Sequence, residues 1–105
     1  MSGIPQIQIR EAKQKLDQQE CLFVDIRDPA SYRAAHIPGA VHLHDGNVQE
    51  FIESADKDRA VIVYCYHGNS SLGAVAYFVE NGFKNVASMS GGFEAWREVY
   101  EHDTE

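Results

Sequence analysis

The residues best suited to chemistry in this chain form one short segment, Cys65-Tyr66-His67-Gly68-Asn69-Ser70-Ser71. It follows the apolar run 60–64 and precedes a run with helical spacing at 72–80. A cysteine between a buried strand and a helix start has backbone N–H groups and the positive end of the helix dipole aimed at its sulfur. Such surroundings favour a thiolate without a neighbouring lysine or arginine. The segment therefore predicts a nucleophilic cysteine that handles an anionic or sulfur-bearing substrate.

The alternative for Cys65 is a structural role, because free cysteine is often a small buried hydrophobe. The residues that follow it favour chemistry instead. Gly68 and Asn69 accept positive φ, which a loop curled around an anion requires. Ser70 and Ser71 are good helix N-caps, and their hydroxyls can turn inward as donors. The order of strand, loop and helix therefore favours the functional interpretation.

Length and composition predict one domain spanning residues 1–105, with residues 101–105 as a frayed tail. The chain has 44% apolar and 10% aromatic residues, as in an ordinary globular protein. Its formal net charge of −7 argues against nucleic acid or an anionic membrane surface as a partner. This charge does not conflict with an anionic substrate, because distant charges are screened within roughly 8–10 Å at physiological salt.

The cysteine count and the N-terminal segment bear on cofactors and location. The two cysteines, Cys21 and Cys65, are far apart, so neither a zinc site nor a disulfide framework is expected. We expect no metal and no cofactor, and Cys21 is interpreted as a buried or edge thiol. Residues 1–6 lack the features of a secretory signal, and no window approaches the length of a membrane span. These features favour a reducing, cytoplasmic setting.

Hydrophobic patterns of strand and helix alternate along the chain. Short apolar runs predict strands at 22–26, 40–43, 60–64 and 86–89. Helical spacing predicts helices around 9–16, 48–55, 72–80 and 93–100. Asp28 as a cap and Pro29 as a first residue predict a further short helix, which Pro38-Gly39 soon breaks. This order indicates an α/β domain with a central, mainly parallel sheet flanked by helices on both faces. Ligands of such sheets bind at the carboxyl ends of the strands, where Cys65 falls.

Four segments together resemble the single-domain rhodaneses. They are Val24-Asp25-Ile26-Arg27-Asp28-Pro29, His36-Ile37-Pro38-Gly39-Ala40 with His42-Leu43, the Cys65 segment with Gly73-Ala74, and Gly91-Gly92-Phe93-Glu94-Ala95-Trp96. Each motif is weak alone, but their order and spacing are specific and cover most of the chain. One departure is Ala35, where rhodaneses usually have glycine; we expect a small backbone adjustment there and no loss of chemistry. The resemblance implies a rhodanese-like fold.

The resemblance also implies a sulfurtransferase mechanism. Cys65 attacks the outer sulfur of thiosulfate, releases sulfite, and holds the sulfur as a persulfide. The acceptor is cyanide or, in the cell, a small or protein thiol such as a thioredoxin-like protein or a dithiol. The amides of residues 66 to 70 and the hydroxyls of Ser70 and Ser71 are suited to stabilising the thiolate and the persulfide. The predicted site is catalytic Cys65 with the substrate-binding residues Tyr66, His67, Gly68, Asn69, Ser70 and Ser71.

The sequence does not decide the roles of the two large side chains in the loop. A preformed thiolate needs no general base, so His67 is favoured as a bystander over a catalytic residue. Tyr66 either forms a wall of the pocket or covers the loop. Asp25 and Arg27 are expected to hold loops together by ion pairing, the usual role of this motif in the family.

Three other functions compete with sulfur transfer. Cysteine-dependent phosphatases and arsenate reductases use Cys-x5-Arg, in which the arginine clamps phosphoryl oxygens; here Ser71 occupies that position. Non-catalytic regulatory rhodanese modules commonly lose the cysteine, which this chain keeps. A sulfur-relay protein with a protein donor or acceptor stays compatible with the sequence.

Overall fold

Strands and helices alternate along the chain in a computed structural model, which describes residues 3–104. The strands are β1 (Gln6–Ile7), β2 (Leu22–Asp25), β3 (Val41–His42), β4 (Val61–Tyr64) and β5 (Val86–Met89). The helices are α1 (Ile9–Asp17), α2 (Pro29–Ala34), α3 (Val48–Ser54), α4 (Ser70–Glu80) and α5 (Gly92–Arg97). The predicted alternation is confirmed.

The five strands form one parallel sheet in the order β1-β5-β4-β2-β3. The central strand β4 pairs with β2, where Val63 lies opposite Val24, and with β5, where Val63 lies opposite Ser88. All four residues of β4 are buried. A parallel strand covered on both faces needs a continuous apolar run, which is the pattern that identified this strand in the sequence.

Successive residues of β4 belong to two different hydrophobic cores. Tyr64 packs in one core with Trp96, under α1 and α5. Val63 packs in the other core with Phe78, under α3 and α4. The sheet is therefore flanked by helices on both faces, as predicted. Within residues 3–104, no helix has both the length and the apolar character to cross a membrane.

Strand β1 was not predicted from the sequence. It contains two residues, of which only Ile7 is buried, so it offers no alternation that a pattern could reveal. Backbone pairing with β5 defines it, and Ile7 lies opposite Met89. The predicted strand at 40–43 is also shorter in the structure, where β3 covers two residues.

Helix α2 begins as the sequence predicted. Asp28 is its N-cap, and a carboxylate oxygen of Asp28 accepts a hydrogen bond from the Ser31 N–H at 3.0 Å. Pro29 is the first helical residue. The helix ends at Ala34 because Ala35 adopts an extended backbone with φ of −168°. Any residue adopts this conformation, so the alanine in place of the family's glycine needs no special backbone geometry.

The C-terminal segment makes contacts that a frayed tail would lack. The backbone of Asp103 exchanges two hydrogen bonds with the backbone of His36, at 2.8 and 2.9 Å. The indole N–H of Trp96 donates to the carbonyl of Glu101 at 3.0 Å. These contacts attach residues 101–103 to the domain where the sequence suggested fraying. Glu105 lies outside the described residues.

Candidate active site

Cys65 lies immediately after β4, at the carboxyl edge of the sheet where the sequence placed the ligand site. Its side chain is almost fully enclosed, with 4% of the residue exposed. The loop of residues 66–69 leads to α4, whose first turn carries Ser71. The chain therefore turns around the sulfur within a few residues, and the start of α4 closes the turn.

Hydrogen-bonding groups of Gly68 and Ser71 lie within 3.3 Å of the Cys65 sulfur. The backbone N–H groups of Gly68 and Ser71 each lie 3.2 Å from Sγ and donate to it. The Ser71 hydroxyl oxygen lies 3.3 Å from Sγ. The predicted amide cradle is thus present, but its second strong donor is the N–H of Ser71, one residue beyond the predicted range of 66 to 70.

The serines next to the loop have different roles from those that the sequence suggested. Asn69 occupies the cap position of α4 and makes no side-chain capping bond. Ser71 is fully buried, and its hydroxyl faces the sulfur. Ser70 is exposed, and the contacts recorded for residues 3–104 include none from its hydroxyl to Sγ. Hydroxyl donors were expected from both Ser70 and Ser71, and among the described contacts Ser71 alone provides one.

Burial and hydrogen bonding oppose each other at Cys65. Burial alone would raise the pKa of the thiol, because it disfavours the charged form. Hydrogen bonds from the Ser71 hydroxyl and from the N–H groups of Ser71, Gly68 and His67 favour the thiolate. Their combined effect is to lower the pKa of Cys65 below its ordinary value. The site therefore favours the thiolate through hydrogen bonds.

The environment of Cys21 shifts the pKa of its thiol in the opposite direction. It is buried, as predicted, and burial raises the pKa of its thiol to about 11 even though Lys15 and Arg59 act in the other direction. At neutral pH this thiol is protonated and a poor nucleophile. The two environments therefore favour the thiolate at Cys65 and the protonated thiol at Cys21.

The shape of the loop depends on Gly68. Its φ is +96°, a left-handed conformation that side chains rarely adopt, and this conformation directs its N–H at the sulfur. A Cβ added here would lie 3.0 Å from the backbone nitrogen of Gly91. Gly68 therefore contributes to the site through its backbone N–H, and its predicted contact with substrate stays a prediction.

Gly92 is a site residue whose importance the sequence did not reveal. Its φ is +61°, and a Cβ there would fall 2.7 Å from the carbonyl oxygen of Cys65 and closer still to that of Tyr66. Those two carbonyls accept hydrogen bonds from the N–H groups of Phe93 at 2.9 Å and Glu94 at 3.0 Å. The start of α5 is therefore pressed against the loop backbone. The Gly91-Gly92 pair was visible, but nothing local indicates what it must approach.

Tyr66 links the loop to the start of α2. Its hydroxyl hydrogen-bonds the carboxylate of Asp28 and lies 2.6 Å from the hydroxyl of Ser31. Hydrogen bonds from Tyr66 and Ser31 hold the pKa of Asp28 well below its usual range. The ring stays 39% exposed at the surface. Tyr66 thus makes a contact that holds the loop, and its predicted contact with substrate stays a prediction.

The remaining predicted substrate-binding side chains lie on the surface of the loop. His67 and Asn69 are both exposed. The backbone N–H of His67 helps to lower the pKa of Cys65. None of the contacts recorded for the described residues involves the His67 ring. Their roles in binding substrate stay predictions.

The rhodanese-like domain model matches residues 8–99 of the chain, which include the cysteine loop and the Gly91-Gly92 segment. The chain belongs to the rhodanese-like family. Its relatives include the thiosulfate sulfurtransferase GlpE of Pseudomonas fluorescens strain Pf0-1, which is 49% identical over 94 residues, covering 90% of this chain and 86% of the relative. GlpE of Pseudoalteromonas translucida is 44% identical over 99 residues, covering 94% of each chain.

Solved structures agree with the rhodanese-like fold. A rhodanese-like domain from Anabaena, solved by NMR, superimposes with a TM-score of 0.86 at 26% identity and covers all of this chain and 81% of the other. A rhodanese-related protein from Thermoplasma volcanium gives a TM-score of 0.84 at 22% identity, with 96% and 99% of the two chains covered. The predicted rhodanese-like fold is confirmed.

The buried arginine of this rhodanese domain is committed to an ion pair. The Arg27 guanidinium contacts the Asp25 carboxylate through two nitrogens, the shorter contact being 2.7 Å. It also donates to the carbonyl of Ala35 at 2.5 Å and lies 4.3 Å from the centre of the Phe93 ring. The expected loop-holding ion pair is therefore present. It joins β2, the residue after α2, and α5 beneath the active-site loop.

We expect Arg27→Ala to reduce the free energy of unfolding by about 3–5 kcal/mol, because it leaves the buried Asp25 carboxylate without its partner. Urea unfolding followed by circular dichroism measures this loss. The matched control is Arg33→Ala on α2, an exposed arginine for which a change within about 0.5 kcal/mol is expected. Equal losses in the two variants would contradict a stabilising role for the Arg27 ion pair.

Proposed function

We propose that this rhodanese domain is a thiosulfate sulfurtransferase that works by double displacement through a persulfide on Cys65. The observation that carries the proposal is the hydrogen-bonded environment of the Cys65 sulfur, formed by two N–H groups at 3.2 Å and a hydroxyl at 3.3 Å. The kinship with GlpE thiosulfate sulfurtransferases supports the choice of donor.

In the first half-reaction, the Cys65 thiolate attacks the outer sulfur of thiosulfate. A new S–S bond forms to Cys65, the S–S bond within thiosulfate breaks, and its electron pair leaves with sulfite. The enzyme then carries a persulfide anion, so the total charge is unchanged. The lowered pKa of Cys65 favours the attacking thiolate without a general base.

In the second half-reaction, an acceptor attacks the terminal sulfur of the persulfide. The Cys65–sulfur bond breaks, and its electron pair returns to Cys65 as the thiolate. Cyanide yields thiocyanate, and a thiolate acceptor yields a new persulfide. The groups that stabilise the Cys65 thiolate make it a better leaving group in this step, because leaving ability increases as the thiol pKa falls.

The acceptor in the cell is a thiol, either small or carried by a thioredoxin-like protein or dithiol. The net charge of −7 favours neither a nucleic acid nor an anionic membrane as partner. A cytoplasmic location belongs to the proposal as well, since a reducing compartment returns Cys65 to its thiol form.

Phosphate transfer is disfavoured by the position of the nearby arginine. Phosphatases of the Cys-x5-Arg type need a guanidinium that clamps two phosphoryl oxygens. The guanidinium of Arg27 is instead bound to Asp25 and to the Ala35 carbonyl, and its side chain is 3% exposed. At the sixth position after Cys65, Ser71 supplies a hydroxyl and an N–H, which suit a compact sulfur anion.

We expect initial rates of thiocyanate formation, measured while thiosulfate and cyanide are both varied, to give parallel double-reciprocal lines. Parallel lines arise when sulfite leaves before the acceptor binds, as double displacement requires. Lines that intersect would contradict the persulfide route. Turnover of p-nitrophenyl phosphate without thiocyanate formation would instead make the protein a phosphatase.

A further inference from the structure

A second buried hydroxyl lies behind the one that contacts the catalytic sulfur. Ser88 of β5 is fully buried, as is Ser71, and their hydroxyl oxygens lie 2.6 Å apart. Ser71 Oγ in turn lies 3.3 Å from Cys65 Sγ. The three groups therefore form a continuous series of hydrogen bonds from the sulfur into the domain. Each of the two hydroxyls has one proton to donate.

The direction of the hydrogen bonds between these three groups depends on where Ser88 donates its hydroxyl proton. Among the hydrogen bonds recorded for residues 3–104, the partner of the Ser88 hydroxyl is Ser71 Oγ. The backbone N–H of Ser88 is engaged separately with the carbonyl of Pro5 at 2.9 Å. If Ser88 donates to Ser71, then Ser71 cannot donate back, and its own proton is left for the sulfur.

A protonated Cys65 that donates its S–H to Ser71 Oγ leaves the two serine hydroxyl protons with one hydrogen bond between them. Either Ser71 donates to Ser88 and the Ser88 proton has no acceptor among the described residues, or Ser88 donates to Ser71 and the Ser71 proton has none. A buried donor left unpaired is unfavourable. Both serine hydroxyl protons therefore have acceptors when the sulfur accepts a hydrogen bond from Ser71, as the thiolate form of Cys65 does.

We propose that Ser88 is a positioning residue for sulfur transfer, whose hydroxyl holds the Ser71 proton on the Cys65 sulfur. The proposal rests on the proposed function in one respect, namely that Cys65 is the nucleophile. Ser88 does not touch the substrate. It acts through Ser71, and it favours the same thiolate both as the attacking group of the first half-reaction and as the leaving group of the second.

The sequence alone offers no sign of this role. Ser88 is one polar residue within the apolar strand β5, 17 residues after Ser71. The parallel pairing of β4 with β5 brings it beside the strand that precedes Cys65, since Val63 lies opposite Ser88. A buried serine at that register position is explained by its contact with Ser71.

The test is the pH dependence of Cys65 alkylation by iodoacetamide, with the labelled peptide identified by mass. We expect the pKa of Cys65 to rise by about half a unit to one unit in Ser88→Ala, and by about one to two units in Ser71→Ala. In the double variant we expect the same value as in Ser71→Ala, because Ser88 acts only through Ser71. Ser88→Thr keeps the hydroxyl, and we expect it to restore the wild-type pKa.

Val86→Ala is the matched control, because it makes a cavity in the same buried strand and leaves the hydroxyl chain intact. We expect it to lower stability without moving the pKa of Cys65. An unchanged pKa in Ser88→Ala, or a shift of equal size when Ser71 is already alanine, would overturn the proposal. If Ser88→Ala does not fold, the isosteric Ser88→Cys takes its place, with a raised pKa as the expected result and a wild-type pKa as the contrary one.

Failure of this proposal is distinguishable from failure of the proposed function. A wild-type protein that forms a Cys65 persulfide, together with an unchanged pKa in Ser88→Ala, overturns only the role of Ser88. If the wild-type protein forms no persulfide and the pKa of Cys65 rises in Ser88→Ala, the proposed function is overturned while the effect of Ser88 on the Cys65 thiolate stands, because alkylation requires no sulfur donor.

Discussion

Replacement of Cys65 by serine is expected to lower the rate of thiocyanate formation from thiosulfate and cyanide by about 10⁴-fold or more. The serine hydroxyl is protonated at any physiological pH, and it cannot form or carry a persulfide. Gly68 and Ser71 keep their donors in this variant, since the change replaces a single atom. The remaining rate therefore measures what the loop achieves without a sulfur nucleophile.

The matched control for this prediction is Cys21→Ser, which removes the other thiol. Cys21 is buried with a raised pKa, so we expect its removal to leave sulfur transfer within about twofold of wild type. Urea unfolding of both variants separates chemical loss from structural loss. A rate in Cys65→Ser that matches the wild-type rate would contradict the assignment of the nucleophile.

Replacement of Gly92 by alanine is expected to lower the free energy of unfolding by about 3 kcal/mol. The added Cβ would collide with the carbonyl groups of Cys65 and Tyr66, and the φ of +61° would add strain. Both collisions are with backbone atoms, which cannot rotate away as a side chain can. Either the start of α5 or the loop must move, so we also expect sulfur transfer to fall by at least about tenfold.

Gly82→Ala is the matched control for this effect. Gly82 has a φ of +95°, but a Cβ there would meet nothing within 4 Å. It therefore carries the backbone strain without the collision, for an expected loss of about 1 kcal/mol and an unchanged rate. If both variants lost stability and rate equally, backbone strain alone would account for the need for glycine at position 92, and contact with the loop would not be required.

The parts of the site that lie close together in sequence were predictable. Cys65, the conformation of Gly68 and the helix start all lie within seven residues, and the order of strand, loop and helix determines where their backbone groups point. The central strand was equally predictable, because burial on both faces imposes a continuous apolar run. The ion pair between Asp25 and Arg27 was also expected, from a motif of neighbouring residues.

The parts that depend on tertiary contacts were not predictable. Gly92 and Ser88 reach the site through the pairing of β5 with β4, and a single sequence does not state which atoms will meet. Tyr66 was ambiguous because its partner Asp28 lies 38 residues away. The choice between Ser70 and Ser71 as the donor depends on the exact start of α4, and helix boundaries are the least certain feature of a sequence pattern.

The most direct test of a persulfide on Cys65 is the intact mass of the protein before and after incubation with thiosulfate. We predict that the wild-type protein gains the mass of one sulfur atom, and that cyanide removes it with release of thiocyanate. The Cys65→Ser variant, treated in the same way, should gain nothing. No gain on the wild-type protein, or an equal gain on the serine variant, would contradict the persulfide mechanism.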